Sequence, residues 1–516
     1  MKQFFTIICA LLFLFSLTAF AQIPTAALVQ IVRSEDELRY DKTLENLMKN
    51  AAAKIRARAA LAAGRIRKEA AIPALVSLLE NDKDDKVRAT AAFALGELES
   101  VKAADVILKI LGDIKINPEI RARAIEAAGK IAEANAKDEK AKALSDRILQ
   151  TLEIESKKRA APDFNIISLG LTAVLRARPT NGAETTVLFT KGYSPQIRAN
   201  ALNTLARLRA KNANENAREL LQKDADAVVR ANAARILGAA EDKEAFDILL
   251  RAATSDADSR VRVSAIRSLA GLKDARSSDA LMNRAGELLK NFAMMKTSVE
   301  YPKEKSEILE IFTTLGRLLA NSNNKTAISL LESFRLPDNF SSPETEIAYA
   351  RISPSEYLKN YRNSKQKTNW RTTSALAQGL GELATHADEN IKAQARKVLL
   401  DYFTELVENV PPAQAAEMTK AVPDLLTALA AFKPDNLDVL LREMIAAGDV
   451  QVRVTAAGIL AEQPAAKVNV EALKTAFAKS LLTDKQSNDA QLAILDALYK
   501  LDKSASVGAF LLALNA

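Results

Sequence analysis

Few residues in this chain could carry chemistry. There is one histidine, His386, in the stretch ATHADEN, and one cysteine, Cys9, inside an apolar N-terminal run. A single imidazole and a single thiol so placed exclude a multi-histidine or cysteine-rich metal centre. His386 and Asp388 could act as base and orienting acid for a nucleophilic serine, but no G-x-S-x-G elbow accompanies them. Neither a P-loop nor a G-x-G-x-x-G turn occurs. His386 therefore reads as a solvated residue between two helices. No cofactor or metal is expected, and the chain reads as non-enzymatic.

Two other groups of residues deserve the same test. The first is a column of arginines following Val or Ile: Arg56, Arg88, Arg121, Arg198, Arg230, Arg262 and Arg453. A row of guanidinium groups could bind anions. Yet an N-capping side chain stands four residues before each arginine except Arg56, a spacing that favours local pairing on one helix. The column, with Asp84, Arg88, Asp226, Arg230, Asp258, Arg262, Asp449 and Arg453 as its clearest members, is expected to be a structural ladder. The second group is YLKNYRNSKQKTNWR, 357–371, which holds five basic residues, no acid and Trp370, the single tryptophan. Aromatic residues and arginine are enriched at binding hot spots. Tyr357, Tyr361, Arg362, Lys365, Trp370 and Arg371 are thus candidate partner-binding residues; the rival reading is a basic solvated loop with Trp370 packed on the next helix.

The elements that must position these residues repeat. The apolar member of the pair recurs at Ile55, Val87, Ile120, Ile197, Val229, Val261 and Val452, with an Ile391-Lys392 variant as an eighth copy. Several intervals are 32 or 33 residues, a period typical of solenoids. Three residues before it stand Asp84, Asn117, Ser194, Asp226, Asp258, Asp388 and Asp449; only Ala52 cannot cap. Four residues after it, all eight copies carry alanine: Ala59, Ala91, Ala124, Ala201, Ala233, Ala265, Ala395 and Ala456. Leucine follows at the eighth position in six copies, and Gly64, Gly96, Gly129 and Gly238 occupy the ninth. Positions 0, 4 and 8 share a helix face whose central methyl lets another helix come close. The glycine suits a C-cap or a tight crossing. A second apolar stretch follows each capped helix, so each unit is a helical hairpin that must stack to bury its face.

This pattern of capping Asp, VR, alanine and LG or LA, followed by an apolar helix, resembles HEAT repeats of the short bacterial, phycobilin-lyase type. The resemblance spans roughly 35–510 and is strongest over 50–135 and 195–290. It implies an all-α fold, an α-solenoid of paired helices, and binding of another protein on the face of the second helices. HEAT-like DNA glycosylases and phycobilin lyases share the repeat, and metal-dependent HEAT hydroxylases need histidines that this chain lacks. The 77 residues from Ile120 to Ile197 require one degenerate unit, from Asp163 to Ser194, and an insertion of about a dozen residues. Composition agrees: 48% hydrophobic but 5% aromatic, with few glycines and prolines.

The N-terminus, MKQFFTIICALLFLFSLTAFAQ, has Lys2, an apolar run and Ala19-Phe20-Ala21 before Gln22. It reads as a secretory signal peptide over 1–21, too short for a spanning helix. Capping helices at 22–50, regular repeats at 51–290, degenerate repeats at 291–385 with a basic aromatic loop at 336–371, and C-terminal repeats at 386–516 complete the expected order. The expected location is the periplasm or the medium, and after cleavage nothing spans a membrane. Net charge is +8 from 72 basic and 64 acidic residues, a mixed surface without a dense basic arm, which with export argues against nucleic acid. The function expected is an exported scaffold binding another protein in a bacterial envelope. Alternatives are the regulatory part of an enzyme system, such as a HEAT-repeat prolyl isomerase of cyclophilin type whose catalytic domain is absent here, or an adaptor for an anionic polymer. Finally, SASVGAFLLALNA crowds Val507, Phe510, Leu511, Leu512 and Leu514 together. This helix is expected to pack on 490–501 and to turn any remaining apolar face to a second copy, a partner or a downstream domain.

Overall fold

The computed structural model describes residues 23–158, 162–294, 305–335, 342–363, 370–408 and 412–514. Among them every regular element is helical. The chain divides into two compact units, up to Ile248 and from Leu249. Each is a run of stacked helical hairpins, an α-solenoid. The signal-peptide segment lies outside the described residues.

In the first unit the first helices stack in order: Ala53–Ile66 on Asp85–Glu97, then Pro118–Ala134, Phe164–Ala177, Pro195–Leu208 and Ala227–Ala239. The second unit stacks Ser259–Leu272, Lys305–Leu318, Pro343–Ile352, Trp370–Glu382, Val422–Ala431, Val450–Leu460 and Asp489–Leu501 in the same way. The degenerate unit expected after Asp163 is the hairpin of Phe164–Ala177 and Gly182–Val187. The extra residues before it lengthen Glu139–Lys157 to 19 residues.

Local chemistry explains where these helices begin. Asp84 accepts hydrogen bonds from the N–H groups of Lys86 and Val87, and Asp226 and Asp449 do the same one and two residues into their own helices. Asn117, Ser194, Asp258 and Asp388 each accept one. Ala52 offers no side-chain cap. All eight column alanines are 0% exposed, so a larger side chain there would overlap a neighbour.

The glycines resolve in favour of the crossing. A Cβ on Gly64 would lie 2.8 Å from Ala94 Cα, on Gly96 2.7 Å from Ala127 Cα, and on Gly129 2.7 Å from Ala173 Cα. The left-handed residue that ends the helix comes later and is not glycine: Arg67, Glu99, Arg209, Glu241 and Lys273 all have φ between 53° and 57°. The N–H of Arg67 still reaches Gly64 O at 3.2 Å. The chain thus tolerates a strained C-cap and reserves glycine for the helix contact.

Two expectations are corrected. Ile391-Lys392 does not open a first helix. It lies in Glu389–Glu408, which pairs behind Trp370–Glu382, while Trp370–Glu382 is the helix that stacks between Pro343–Ile352 and Val422–Ala431. A capping Asp388 and a buried Ala395 arise on any helix packed along one face, so this copy mimicked the column. The basic aromatic stretch is not one loop either. Pro343–Ile352, begun by Ser342 and by proline in its first turn, and Pro354–Asn363 run through it, and Trp370 starts the next helix.

Candidate functional site

The ladder residues form a brace of a different kind from the one expected. Asp84, Asp226, Asp258 and Asp449 use their carboxylates on the first turn of their own helices, so they do not hold the arginine four residues on. Arg56 instead places Nε and Nη2 2.7 Å from both oxygens of Asp82, at the end of the second helix of its own hairpin. Its Nη1 donates to the carbonyls of Asn50 and Ala51, both at 2.9 Å. Arg198 repeats the arrangement with Asp224 at 2.8 and 2.9 Å and with Tyr193 O. Arg453 keeps the carbonyls, of Ala447 and Gly448, but reaches Asp484 through Nη2 alone. Arg230 donates to the carbonyls of Asp224 and Ala225 at 3.0 and 3.1 Å. Arg262 reaches Glu307 at 2.8 Å and Asp256 O at 2.7 Å. Arg88 departs, meeting Leu79 O at 3.0 Å and Asp85 at 3.4 Å.

The acid that receives the arginine also shapes the loop. Asp82, Asp224 and Asp256 accept from the N–H of Asp84, Asp226 and Asp258, each at 2.9 Å. The signal missed in the sequence is therefore an Asp-x-Asp step, whose first member closes a hairpin or loop and whose second caps the next helix. Burial pushes the Asp82 carboxyl up. The Arg56 hydrogen bond and charge, with the N–H of Asp84, outweigh burial and hold it below the usual carboxylate value. Arginines committed in this way leave little for a ligand.

The basic aromatic candidates do not assemble into one surface. Tyr357 is 1% exposed, its ring 5.4 Å from that of Tyr349. An amphipathic ring on the inner face of Pro354–Asn363 is a core residue. Trp370 is half-buried at the start of its helix, with the Arg371 guanidinium 4.8 Å from its ring centroid and the Lys420 ammonium 5.8 Å away. Arg371 is exposed. Tyr361 and Arg362 lie in the backbone of Pro354–Asn363, but their side chains, and Lys365 altogether, fall outside the described residues.

A neighbouring groove, not foreseen from the sequence, does gather functional groups. In the second unit the C-terminal ends of Lys305–Leu318, Pro343–Ile352 and Trp370–Glu382 border a groove of about 570 Å³, lined among others by Arg317, Asn321, Arg351, Glu382, Thr385 and His386. Its walls are tied together. The N–H of Asn321 donates to Arg351 O at 2.7 Å and that of Asn323 to Ile352 O at 3.0 Å. Arg351 Nε donates to Glu382 at 2.8 Å. His386 Nδ1 accepts from the N–H of Asp388 at 3.0 Å. The ring proton therefore sits on Nε2, which donates to Asn321 Oδ1 at 3.1 Å. His386 is thus a half-buried tie between repeats, where a solvated loop residue was expected. Arg317 is exposed and makes no hydrogen bond or ion pair with the described residues. Two guanidinium groups against the single carboxylate of Glu382 leave the groove with one positive charge in excess. An unpaired Arg317 beside a fixed imidazole suits a carboxylate or another planar anion.

Stacked capped hairpins, the alanine column and the glycine crossings meet an independent observation in the comparison with known families. Residues 40–115, 74–153, 186–270 and 214–287 match the model of HEAT repeats. HEAT repeats are thus shown for 40–153 and 186–287. No curated protein matches the chain. Among solved structures the chain is similar to Kap121p bound to Nup53p, at 11% identity over 92% of this chain and 59% of that one, with a TM-score of 0.49. It is also similar to importin beta, at 14% identity over 90% and 57% of the two chains, TM-score 0.41. The complex of CpcE and CpcF of phycocyanin lyase from Nostoc sp. PCC7120 matches at 18% identity over 48% and 95%, TM-score 0.30. The chain spans less than three fifths of the length of the Kap121p and importin beta chains. Among the described residues no helix is long and apolar enough to cross a membrane.

Proposed function

We propose that this HEAT-repeat chain is an exported scaffold that binds another protein in a bacterial envelope and has no catalytic activity of its own. The observation that carries the reading is the groove at Arg317. Arg56, Arg198 and Arg453 are committed to the acid that closes their own hairpin, whereas Arg317 faces an open groove whose walls span three hairpins and are fixed by backbone hydrogen bonds. A rigid surface with one unspent guanidinium recognises an acidic side chain or chain terminus on a partner, and needs no chemistry to do so. The signal-like N-terminus supports export, because its apolar run is short and ends in Ala-x-Ala before Gln22.

The test has two arms. The N-terminal sequence of protein recovered from the envelope fraction should begin at Gln22; a retained Met1 would remove export by this route. Partner capture from that fraction should fall at least tenfold for Arg317→Glu with the helical signal unchanged. Because His386 is the only histidine, its two ring carbon-bound protons give isolated NMR signals, and these should move on partner binding in the parent protein but not in the variant. Unchanged capture by Arg317→Glu would show that the groove is not the binding surface.

A further inference from the structure

Where each first helix of the first unit gives way to its second, the tenth and twelfth positions after the leading apolar residue hold a row of charges. The structure fixes the register. Gly64, Gly96 and Gly129, at the ninth position, cross Ala94, Ala127 and Ala173 at the seventh of the next helix, so Ile166 leads Phe164–Ala177. The twelfth position is the left-handed one, with φ between 47° and 57° at Arg67, Glu99, Arg178, Arg209, Glu241 and Lys273. Over the hairpins led by Ile55, Val87 and Ile120 the sign alternates: Arg65 and Arg67, then Glu97 and Glu99, then Lys130. The alternation makes bonds between repeats. Arg67 Nη2 lies 3.1 Å from Glu99 and Lys130 Nζ 2.7 Å from Glu97.

The alternation stops in the next two hairpins. Arg176-Ala177-Arg178 and Arg207-Leu208-Arg209 put arginine at both positions of neighbouring first helices, and Lys211 follows. Phe164–Ala177 and Pro195–Leu208 pack on one another, and packed helices lie about 8–10 Å apart, close to the screening length of about 8 Å at physiological salt. Like charges at that spacing repel, where an acid in one repeat would have made a pair. All five cations are exposed. Arg176 reaches Glu133 at 3.0 Å, but the side chains of Arg178, Arg207, Arg209 and Lys211 make no ion pair or hydrogen bond among the described residues. The exposed acids Glu184, Glu215 and Glu241, of these hairpins and the next, pair with none of them. The dipole at a helix C-terminus favours a cation there, yet Glu97, Glu99 and Glu241 occupy the same positions elsewhere, so the dipole does not dictate the arginines.

We infer that the rim of Arg178, Arg207, Arg209 and Lys211 binds an acidic segment of a partner protein, its carboxylates laid across two adjacent repeats. Each guanidinium presents a planar fork of N–H donors that matches a carboxylate. In an extended polyproline-type segment, side chains three residues apart share one face and stand about 9 Å apart. That is the spacing of the two helices, so one short segment meets both repeats. The stretches 176–183 and 207–213 contain no aromatic residue, so the rim lacks the stacking platform that holds single-stranded nucleic acids. It lies in the first unit and the Arg317 groove in the second, and neither reading depends on the other.

Fluorescence anisotropy with labelled octaglutamate tests this, on the full chain in an Arg317→Glu background so that the groove does not contribute. That chain should bind the peptide, and adding Arg178→Glu/Arg209→Glu should weaken binding at least tenfold. Lys83→Glu/Lys86→Glu, an equal change of net charge at two exposed lysines of another repeat, should alter it less than twofold. Because Arg178→Glu alone restores the alternation of sign, it should melt no lower than its parent and still bind at least threefold more weakly. Absence of octaglutamate binding, equal losses in the two double variants, or a lower melting temperature in Arg178→Glu would overturn the inference. So would octathymidylate, of similar charge, binding more tightly than octaglutamate and losing that affinity in Arg178→Glu/Arg209→Glu, since the rim would then belong to a nucleic acid.

Discussion

The stretches 53–134 and 305–382 build the same stack from different residues. In the first, positions 0, 4 and 8 read Ile55, Ala59, Ala63 and Val87, Ala91, Leu95, all buried. In the second, the equivalent faces read Glu307, Ile311, Leu315 and Thr372, Leu376, Leu380, with Thr345 and Tyr349 between them, again buried. A carboxylate at 0% exposure replaces the leading apolar residue, and Glu307 is held there by Arg262 and Arg284, each at 2.8 Å. The close crossing persists. A Cβ on Gly316 would lie 2.8 Å from Ala348 Cα, and one on Gly381 3.2 Å from Ala428 Cα. Polarity along the face can vary so long as buried charges are paired; the small residues that set helix separation cannot. The polar region is also where the groove at Arg317 opens.

The largest effect should come from breaking the brace that distinguishes the regular hairpins. Arg56 and Asp82 have side chains 8% and 5% exposed, and removing one partner of such a pair costs about 3–5 kcal/mol. Arg56→Ala should therefore lower the urea midpoint far more than Arg88→Ala, whose guanidinium meets only a carbonyl and the half-exposed Asp85. Equal losses would dissolve the distinction between the two arginines.

A smaller effect should appear with acid. Because the folded Asp82 carboxyl titrates below its unfolded value, its contribution is fully present above about pH 4. It is lost as pH falls through the lower folded value. Stability measured between pH 5 and 2 should fall less steeply in Asp82→Asn than in the parent, and parallel curves would contradict this.

The smallest expected effects are at the caps. Asp84→Ala should cost about 1 kcal/mol. Ala52→Asp, at the one uncapped copy of the column, should add up to about 1 kcal/mol where the backbone is already extended. Thermal melts that move both variants in the same direction would show that the column is not a capping column.

Much of this was legible in the sequence because it is written within one helix. The caps, the alanine column and the hairpin rhythm depend on neighbours within a turn or two, so spacing alone exposes them. The partner of Arg56 lies 26 residues away in Asp82, a pairing that exists only once the hairpin closes, and Asp-x-Asp is too common a step to announce it. The polar hairpins hid for a related reason. Leu315-Gly316 and Leu380-Gly381 keep the crossing, but Glu307 and Thr345 break the apolar phase that a sequence search follows. In 357–371 the density of charge suggested an irregular surface, although Tyr357 is in the core. The groove at Arg317 was beyond reach, since it joins residues from 317 to 386 through the ends of three helices.

The claim that small residues at the crossing, and not the apolar phase, carry the stack through both stretches is open to a direct measurement. Thermal melts of Gly96→Ala, Gly316→Ala and Gly458→Ala compare a regular crossing, a polar-region crossing and a helical glycine with nothing within 4 Å of an added Cβ. Gly96→Ala and Gly316→Ala should each lose about 1–3 kcal/mol to overpacking against a neighbouring backbone, while Gly458→Ala should be neutral or gain up to about 1 kcal/mol from helix propensity. A Gly316→Ala variant as stable as the parent, beside a destabilised Gly96→Ala, would contradict the account.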